Sequence, residues 1–165
     1  LNVFGTLSLA RAFMPHMVSR PAGKGLEPSK GPRSMIAVTS SVAGLVPNPT
    51  AATYSMSKSA LHGFFNTLRA ESSYRGLDVS LICPGPFESE IVEHALGGGK
   101  DMAEADKSKR LTAQRCAQLF LRAMHHRLAE IWLAPQPILL FVYLSHFLPP
   151  NIVAHIAATL IGPKR

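Results

Sequence analysis

Two short apolar runs, SMIAVTS at 34–40 and LDVSLICPG at 77–85, constrain this chain more than any other feature. Both are dominated by aliphatic residues, many of them β-branched, the composition of strands buried inside a parallel sheet. Between them, from about Ala52 to Arg75, apolar residues recur at helical spacing. Ala60, Leu61, Phe64, Phe65 and Leu68 fall on the apolar side, and Gly76 marks the stop. The same alternation continues outward. Residues 1–19 form an amphipathic helical pattern before the first run, and after the second Thr112 can cap a helix, AQRCAQLFLRAMHHR, leading into a third strand, AEIWLA.

Helix and strand alternating three times is the order of an α/β sheet with parallel strands and crossover helices. Three strands are too few to complete a doubly wound sheet. The chain opens at Leu1, already inside a periodic apolar pattern and without a cap, so it reads as a sequence entered partway through a helix. Between the predicted elements, RPAGKGLEPSKGPR at 20–33 and the polar stretch 86–111, with GGGKD at 97–101, read as loops.

The formal charge of +7 is concentrated in residues 11–33 and 100–127, and neither stretch interleaves aromatics with its cations as a single-strand binder does. Nucleic acid is therefore not expected as a partner; an anionic cofactor or membrane surface suits the distribution better. Cys83 and Cys116 lack CxxC spacing and the histidines show no HExxH pattern, so no disulfide framework and no metal site is indicated. A reducing, cytosol-facing compartment is the default. Met14, Met17, Met35 and Met124 are expected in the core, His62 on a helix face beside the site, and Trp132 under the third helix.

From Ile131 to Gly162 there is no Asp, Glu, Lys or Arg. The run Ile138–Leu148 lies between prolines and is shorter than the roughly 20 residues a spanning helix needs. The expectation is a core or dimer-interface segment over 135–165. The alternative is an interfacial membrane anchor, with Lys164 and Arg165 at head-group level.

The chemistry-bearing stretch is TSSVAGLVPNPTAATYSMSK, 39–58. On a helix, Tyr54 and Lys58 are one turn apart and share a face. A phenol is a poor base at neutral pH, and a neighbouring ammonium favours its ionised form, which equips a tyrosine for general acid–base work. Ser41 precedes Tyr54 by 13 residues, at the carboxyl end of a predicted strand, where open α/β sheets bind ligands.

With Ser41, Tyr54 and Lys58 in that order and spacing, the chain resembles the short-chain dehydrogenases/reductases. NVFGTLSLARAFMPHM is similar to the family helix that opens with a catalytic Asn, here Asn2, and SLICPGPFESEI to the Pro-Gly stretch beside the cofactor. The resemblance covers nearly all of 1–134. It implies the C-terminal half of a Rossmann-like doubly wound parallel sheet over that range, followed by the apolar segment 135–165. Within the family, PGPFESEI, TAQRCAQ and the uncharged tail are most similar to the membrane-associated member-7 dehydrogenase/reductase subgroup, near the 11β-hydroxysteroid dehydrogenases.

That resemblance implies an NAD(P)-dependent oxidoreductase, NADP(H) favoured, interconverting carbonyl and alcohol on a small lipophilic, steroid- or retinoid-like substrate. Tyr54 would be the general acid/base, Lys58 its electrostatic partner and a ribose ligand, Ser41 the orienter of the substrate oxygen, and Asn2 the holder of a water. Pro84, Gly85, Phe87 and Ser89 would line the nicotinamide, and 87–111 would form a substrate lid. It further implies a dimer or tetramer through helices 1–19 and 52–75. The implied location is a membrane, that of the endoplasmic reticulum, with the cytoplasm as alternative. The family's Gly-rich phosphate turn, TGxxxGxG, is absent from these 165 residues. The chain by itself is thus expected to bind dinucleotide poorly, and a catalytically silent truncated form acting as a dimerisation partner stands as the alternative reading.

Overall fold

A computed structural model describes residues 2–18, 33–87 and 110–160. The elements follow the predicted order: α1 Phe4–Met17, β1 Ser34–Thr39, a 3-10 turn Val42–Gly44, α2 Ala52–Ser72, β2 Leu77–Pro84, α3 Ala113–His125, β3 Glu130–Leu133, α4 Ile138–Ser145 and α5 Pro150–Leu160. The three strands form one parallel sheet in the order β1-β2-β3. Ser34 lies opposite Leu77 and Thr39 opposite Ile82; Cys83 lies opposite Trp132. This is the α/β architecture expected from the alternation, with β2 at the centre.

Strand alternation sorts the side chains onto two faces. Val79, Leu81 and Cys83 of β2 join Val38 of β1, Leu61, Phe65 and Leu68 of α2 and Ala10 of α1 in one buried cluster. Phe141 and Val142 of α4, with Val153 and Ala157 of α5, belong to the same cluster. The uncharged tail therefore packs on the α1/α2 face, as the core reading expected. Ser80 and Ile82 point the other way, where α3 contacts β2 with its buried Cys116 and Ala123. Phe65, Leu61 and Leu81 are fully buried, each worth about 1.5–3 kcal/mol of transfer free energy.

The helix ends follow local chemistry. The α2 helix runs into a 3-10 turn at Ser73–Arg75 and ends at Gly76, whose φ of 81° is the left-handed conformation that glycine adopts without a Cβ penalty. Thr112 caps α3 as expected, its Oγ1 accepting from the Arg115 N–H at 3.2 Å. At the other end of α3, Arg127 takes φ 52° although it is not glycine. Its guanidinium donates to Asp78 Oδ2 at 2.7 Å and to the Arg33 carbonyl at 2.9 Å. Arg33 also pairs with Asp78. Hydrogen bonding from Arg33, aided by Arg127, holds the Asp78 carboxyl below the usual carboxylate range. The trio ties the leading ends of β1 and β2 to the α3–β3 connection.

Several expectations change. Trp132 does not pack under α3; its indole stacks on His146 at 5.1 Å and tilts against Tyr143 at 4.9 Å, both on the tail side. A four-residue strand carries too little pattern to say which of its faces meets which helix. Met124 is exposed rather than core, and so is Ala60, while Met14 packs against the core cluster as expected. The loop 20–32, the GGGKD stretch, Ser89, Lys164 and Arg165 lie outside the described residues. Among the described residues no helix is long and apolar enough to cross a membrane.

Candidate active site

Three pieces of backbone meet at the carboxyl ends of β1 and β2. The first is the turn after β1. Ser41 is extended, and its Oγ accepts from the Ala43 N–H at 3.1 Å, starting the 3-10 turn. The same hydroxyl donates to the Pro84 carbonyl at 3.3 Å, so the turn is latched to the end of β2. A hydroxyl has one donor and two acceptor sites, and the donor bond to Pro84 is long. Rotation of Oγ would release that proton to another oxygen while the capping bond stays.

The second piece is the first turns of α2. Tyr54 and Lys58 share a face, with the Lys58 ammonium 5.7 Å from the centre of the Tyr54 ring. Lys58 Nζ donates to the Thr39 carbonyl at 3.2 Å, at the very end of β1. The ammonium is half-buried, and burial lowers its pKa below the ordinary lysine value. With three N–H donors and one of them on Thr39, two remain for other acceptors.

The two pieces are in direct contact. The Ser59 hydroxyl donates to the Gly44 carbonyl at 3.0 Å, and Ser40 Oγ donates to the Lys58 carbonyl at 3.4 Å. A Cβ on Gly44 would lie 2.9 Å from His62 Cδ2 and 3.0 Å from the Lys58 carbonyl carbon. Only a glycine lets the turn sit this close to α2. The third piece is the Pro84–Gly85 exit of β2, where the Gly85 N–H donates to the Leu133 carbonyl at 2.7 Å. A Cβ there would lie 2.7 Å from the Ala134 Cβ, so Gly85 serves close packing against the end of β3. Phe87 follows, bridging in parallel to Leu111.

Ser41, Tyr54, Lys58, Pro84, Gly85 and Phe87 are thus brought to one end of the sheet. Asn2, just before α1, is exposed, and its carbonyl accepts from the Thr6 hydroxyl at 2.9 Å. Among the described residues no hydrogen bond joins its side chain to Lys58.

His62 is the residue whose involvement the spacing understated. It lies one turn beyond Lys58 on the same face, so the i, i+4, i+8 series from Tyr54 pointed to it. It is buried against the turn at Gly44, with Nε2 3.6 Å from Cys83 Sγ. Burial lowers the His62 pKa and pushes the Cys83 thiol up to about 12, Glu130 adding to the latter. Cys83 is a buried strand thiol.

A sequence profile of the family described as short chain dehydrogenase matches residues 1–97, more than half of the chain. The chain belongs to that family. Among its curated relatives, human dehydrogenase/reductase SDR family member 7 is 40% identical over 153 residues, covering 90% of this chain and 42% of the relative. The mouse protein of the same name is 35% identical over 153 residues, again 90% and 42%. Member 7B of Xenopus laevis is 32% identical over 151 residues, 90% of this chain and 43% of the relative. The chain therefore spans about four-tenths of the length of the curated relatives it matches.

Among solved structures, a short-chain dehydrogenase/reductase of Burkholderia phymatum, in complex with NAD, superposes with a TM-score of 0.70 at 25% identity. It covers 88% of this chain and 55% of that one. A short-chain dehydrogenase of Burkholderia cenocepacia, in complex with NADP, gives the same TM-score at 19% identity, over 94% and 57%, and shows the shared fold.

Proposed function

We propose that the natural protein is an NAD(P)(H)-dependent oxidoreductase that interconverts a carbonyl and an alcohol on a small lipophilic substrate. The observation that carries this is the Lys58 ammonium beside the Tyr54 ring, on a helix that abuts the Ser41 turn at the carboxyl ends of parallel strands. The relatives of the member-7 type and the NAD and NADP complexes of the bacterial neighbours point the same way.

The residues present fit the nicotinamide–ribose end of such a cofactor. Lys58 retains donors for ribose hydroxyls, and Pro84, Gly85 and Phe87 border the same end of the sheet. The pyrophosphate is ordinarily met by a Gly-rich turn at a helix N-terminus, a run these residues do not contain. When bound, the nicotinamide supplies or accepts the hydride. Tyr54 gives or takes the proton on the substrate oxygen. Lys58, half-buried and fixed on Thr39, holds its ammonium 5.7 Å from the centre of the Tyr54 ring. Ser41 orients the substrate oxygen after its hydroxyl turns away from Pro84. Asn2 and Ser89 keep the water-holding and cofactor-contacting roles the family resemblance assigns them.

Two features support the partners in this reading. Phe4, Leu9 and Phe13 of α1 are 81%, 62% and 55% exposed, and Met56 of α2 is exposed too, which suits association of copies through α1 and α2. Leu140, Tyr143, Leu144 and Phe147 are exposed on the tail, which suits contact with a membrane surface, the endoplasmic reticulum being the reading for location.

Replacing Tyr54 by Phe in the full natural protein tests the mechanism. The expected result is a loss of turnover of at least about 100-fold, with nucleotide binding kept. Retained turnover would remove Tyr54 from the chemistry.

A further inference from the structure

Behind the Ser41 turn, three side chains from three separate elements converge. His62 of α2, Cys83 of β2 and Glu130 of β3 each present one ligand-type atom, all within 4.8 Å of one another. His62 and Cys83 are buried, and Glu130 is partly buried at the sheet's edge. We propose that this cluster is a binding site for a zinc-class divalent cation, held by imidazole, thiolate and carboxylate. The proposal is independent of the oxidoreductase reading.

Four observations support it. The first is spacing. A tetrahedral centre with bonds of about 2.0–2.1 Å to nitrogen and about 2.3 Å to sulfur holds those atoms about 3.5 Å apart. Here Nε2 and Sγ are 3.6 Å apart. A carboxylate within 4.8 Å reaches the same point by a shift on the order of 1 Å, which side-chain rotation supplies.

The second is the support around the ligands. Trp132 Nε1 donates to Glu130 Oε1 at 2.6 Å, leaving Oε2 for the cation, and His62 is packed against the turn at Gly44. Ligands oriented by such outer hydrogen bonds are the rule at metal centres. The third is charge. A thiolate and a carboxylate together balance a divalent cation, so the filled site adds no net charge to the interior. Arg69, whose charge acts on both His62 and Cys83, is committed to the Val79 carbonyl at 2.9 Å, to Asn66 and to the Ala129 carbonyl. The fourth is access: Glu130 sits at the exposed margin, so its carboxylate can take the cation from solvent first. On binding, Cys83 gives up its thiol proton to solvent, and the cation's remaining position stays open for water.

The test is direct binding to the full natural protein after treatment with a chelator, using Zn²⁺ alone and then Co²⁺ as a coloured substitute. One cation per chain is expected, and the Co²⁺ form should show thiolate-to-metal charge-transfer absorption. Cys83→Ser should abolish that absorption, Cys116→Ser should keep it, and Glu130→Gln should weaken binding at least about tenfold. Should Cys83→Ser fail to fold by circular dichroism, His62→Gln takes its place with the same expected loss. Absence of stoichiometric uptake overturns the site. So does charge-transfer absorption that survives in Cys83→Ser or His62→Gln, or affinity unchanged in Glu130→Gln.

Discussion

Replacing Gly44 by Ala probes the contact that makes this site. The added Cβ would stand 2.9 Å from His62 Cδ2, 3.0 Å from the Lys58 carbonyl carbon and 3.1 Å from Lys58 Cβ. Carbon pairs are comfortable at about 3.5–4.0 Å, so each contact is short by roughly 0.5–1 Å. One of the three atoms is helix backbone, which no rotamer change can move aside. Relief requires α2 to back away from the Ser41 turn by a similar distance. Overpacking of this kind costs about 1–3 kcal/mol, and the stiffer unfolded chain returns about 0.4–1 kcal/mol, leaving a net loss of about 1–2 kcal/mol. Because Ser41 and Tyr54 move apart, kcat/KM should fall by about 10- to 100-fold. Gly63 is the internal control: it lies within α2, and a Cβ there meets nothing within 4 Å. Gly63→Ala should stabilise the protein by about 0.5–1 kcal/mol and leave the site geometry alone. Urea unfolding and steady-state rates on the full natural protein read both effects. A Gly44→Ala protein as stable as wild type, with kcat/KM within about twofold of it, would refute the close-approach argument.

The Arg33–Asp78–Arg127 trio predicts a pH dependence. Because the folded state holds the Asp78 carboxyl below its unfolded value of about 3.9, its contribution is complete well above that pH and is lost as pH falls through the depressed folded value. Asp78→Asn should therefore cost about 1–2 kcal/mol at neutral pH, after allowing for screening of the half-exposed Arg127, and nearly nothing at strongly acid pH; equal costs at both ends would exclude the linkage. The Ser80 hydroxyl is fully buried without a hydrogen-bond partner among the described residues, so Ser80→Ala should raise stability by about 1 kcal/mol in a urea titration. Phe147→Glu, with Leu144→Glu, should reduce co-flotation with anionic vesicles several-fold if the tail meets a membrane surface, and unchanged flotation would remove that contact.

What the sequence made legible was what local chemistry decides. The strands β1 and β2 announce themselves by uninterrupted aliphatic runs, the Thr112 cap and Gly76 stop by residue type, and the Tyr54–Lys58 face by helical spacing. The exit of β1 follows from the strand's end, which is why Ser41 was found. Other features depend on which side of the sheet an element chooses. Trp132 meets the tail rather than α3, and the alternation of Glu130/Trp132 against Ile131/Leu133 in β3 does not say which pair meets α3. The tail carries no charge up to Gly162 and is largely apolar, so little in its pattern marks Phe141, Val142, Val153 and Ala157 as its core residues. The burial of His62, and its meeting with Cys83 and Glu130, joins residues from three elements and exists only once α2 has docked on the sheet.

The Trp132 indole, sandwiched with Tyr143 and His146, has a use beyond packing. It is the one tryptophan of these 165 residues, so they carry a built-in fluorophore at the seam between the sheet and the tail. Its emission responds to the seating of α4 through Tyr143 and His146, without label or mutation. A lipid surface, a substrate or a second copy that lifts the tail would expose the indole to water and shift its emission to longer wavelength; one that presses the tail inward would leave the emission in place. The behaviour of the last thirty residues can thus be followed in the unmodified protein by the colour of its own light.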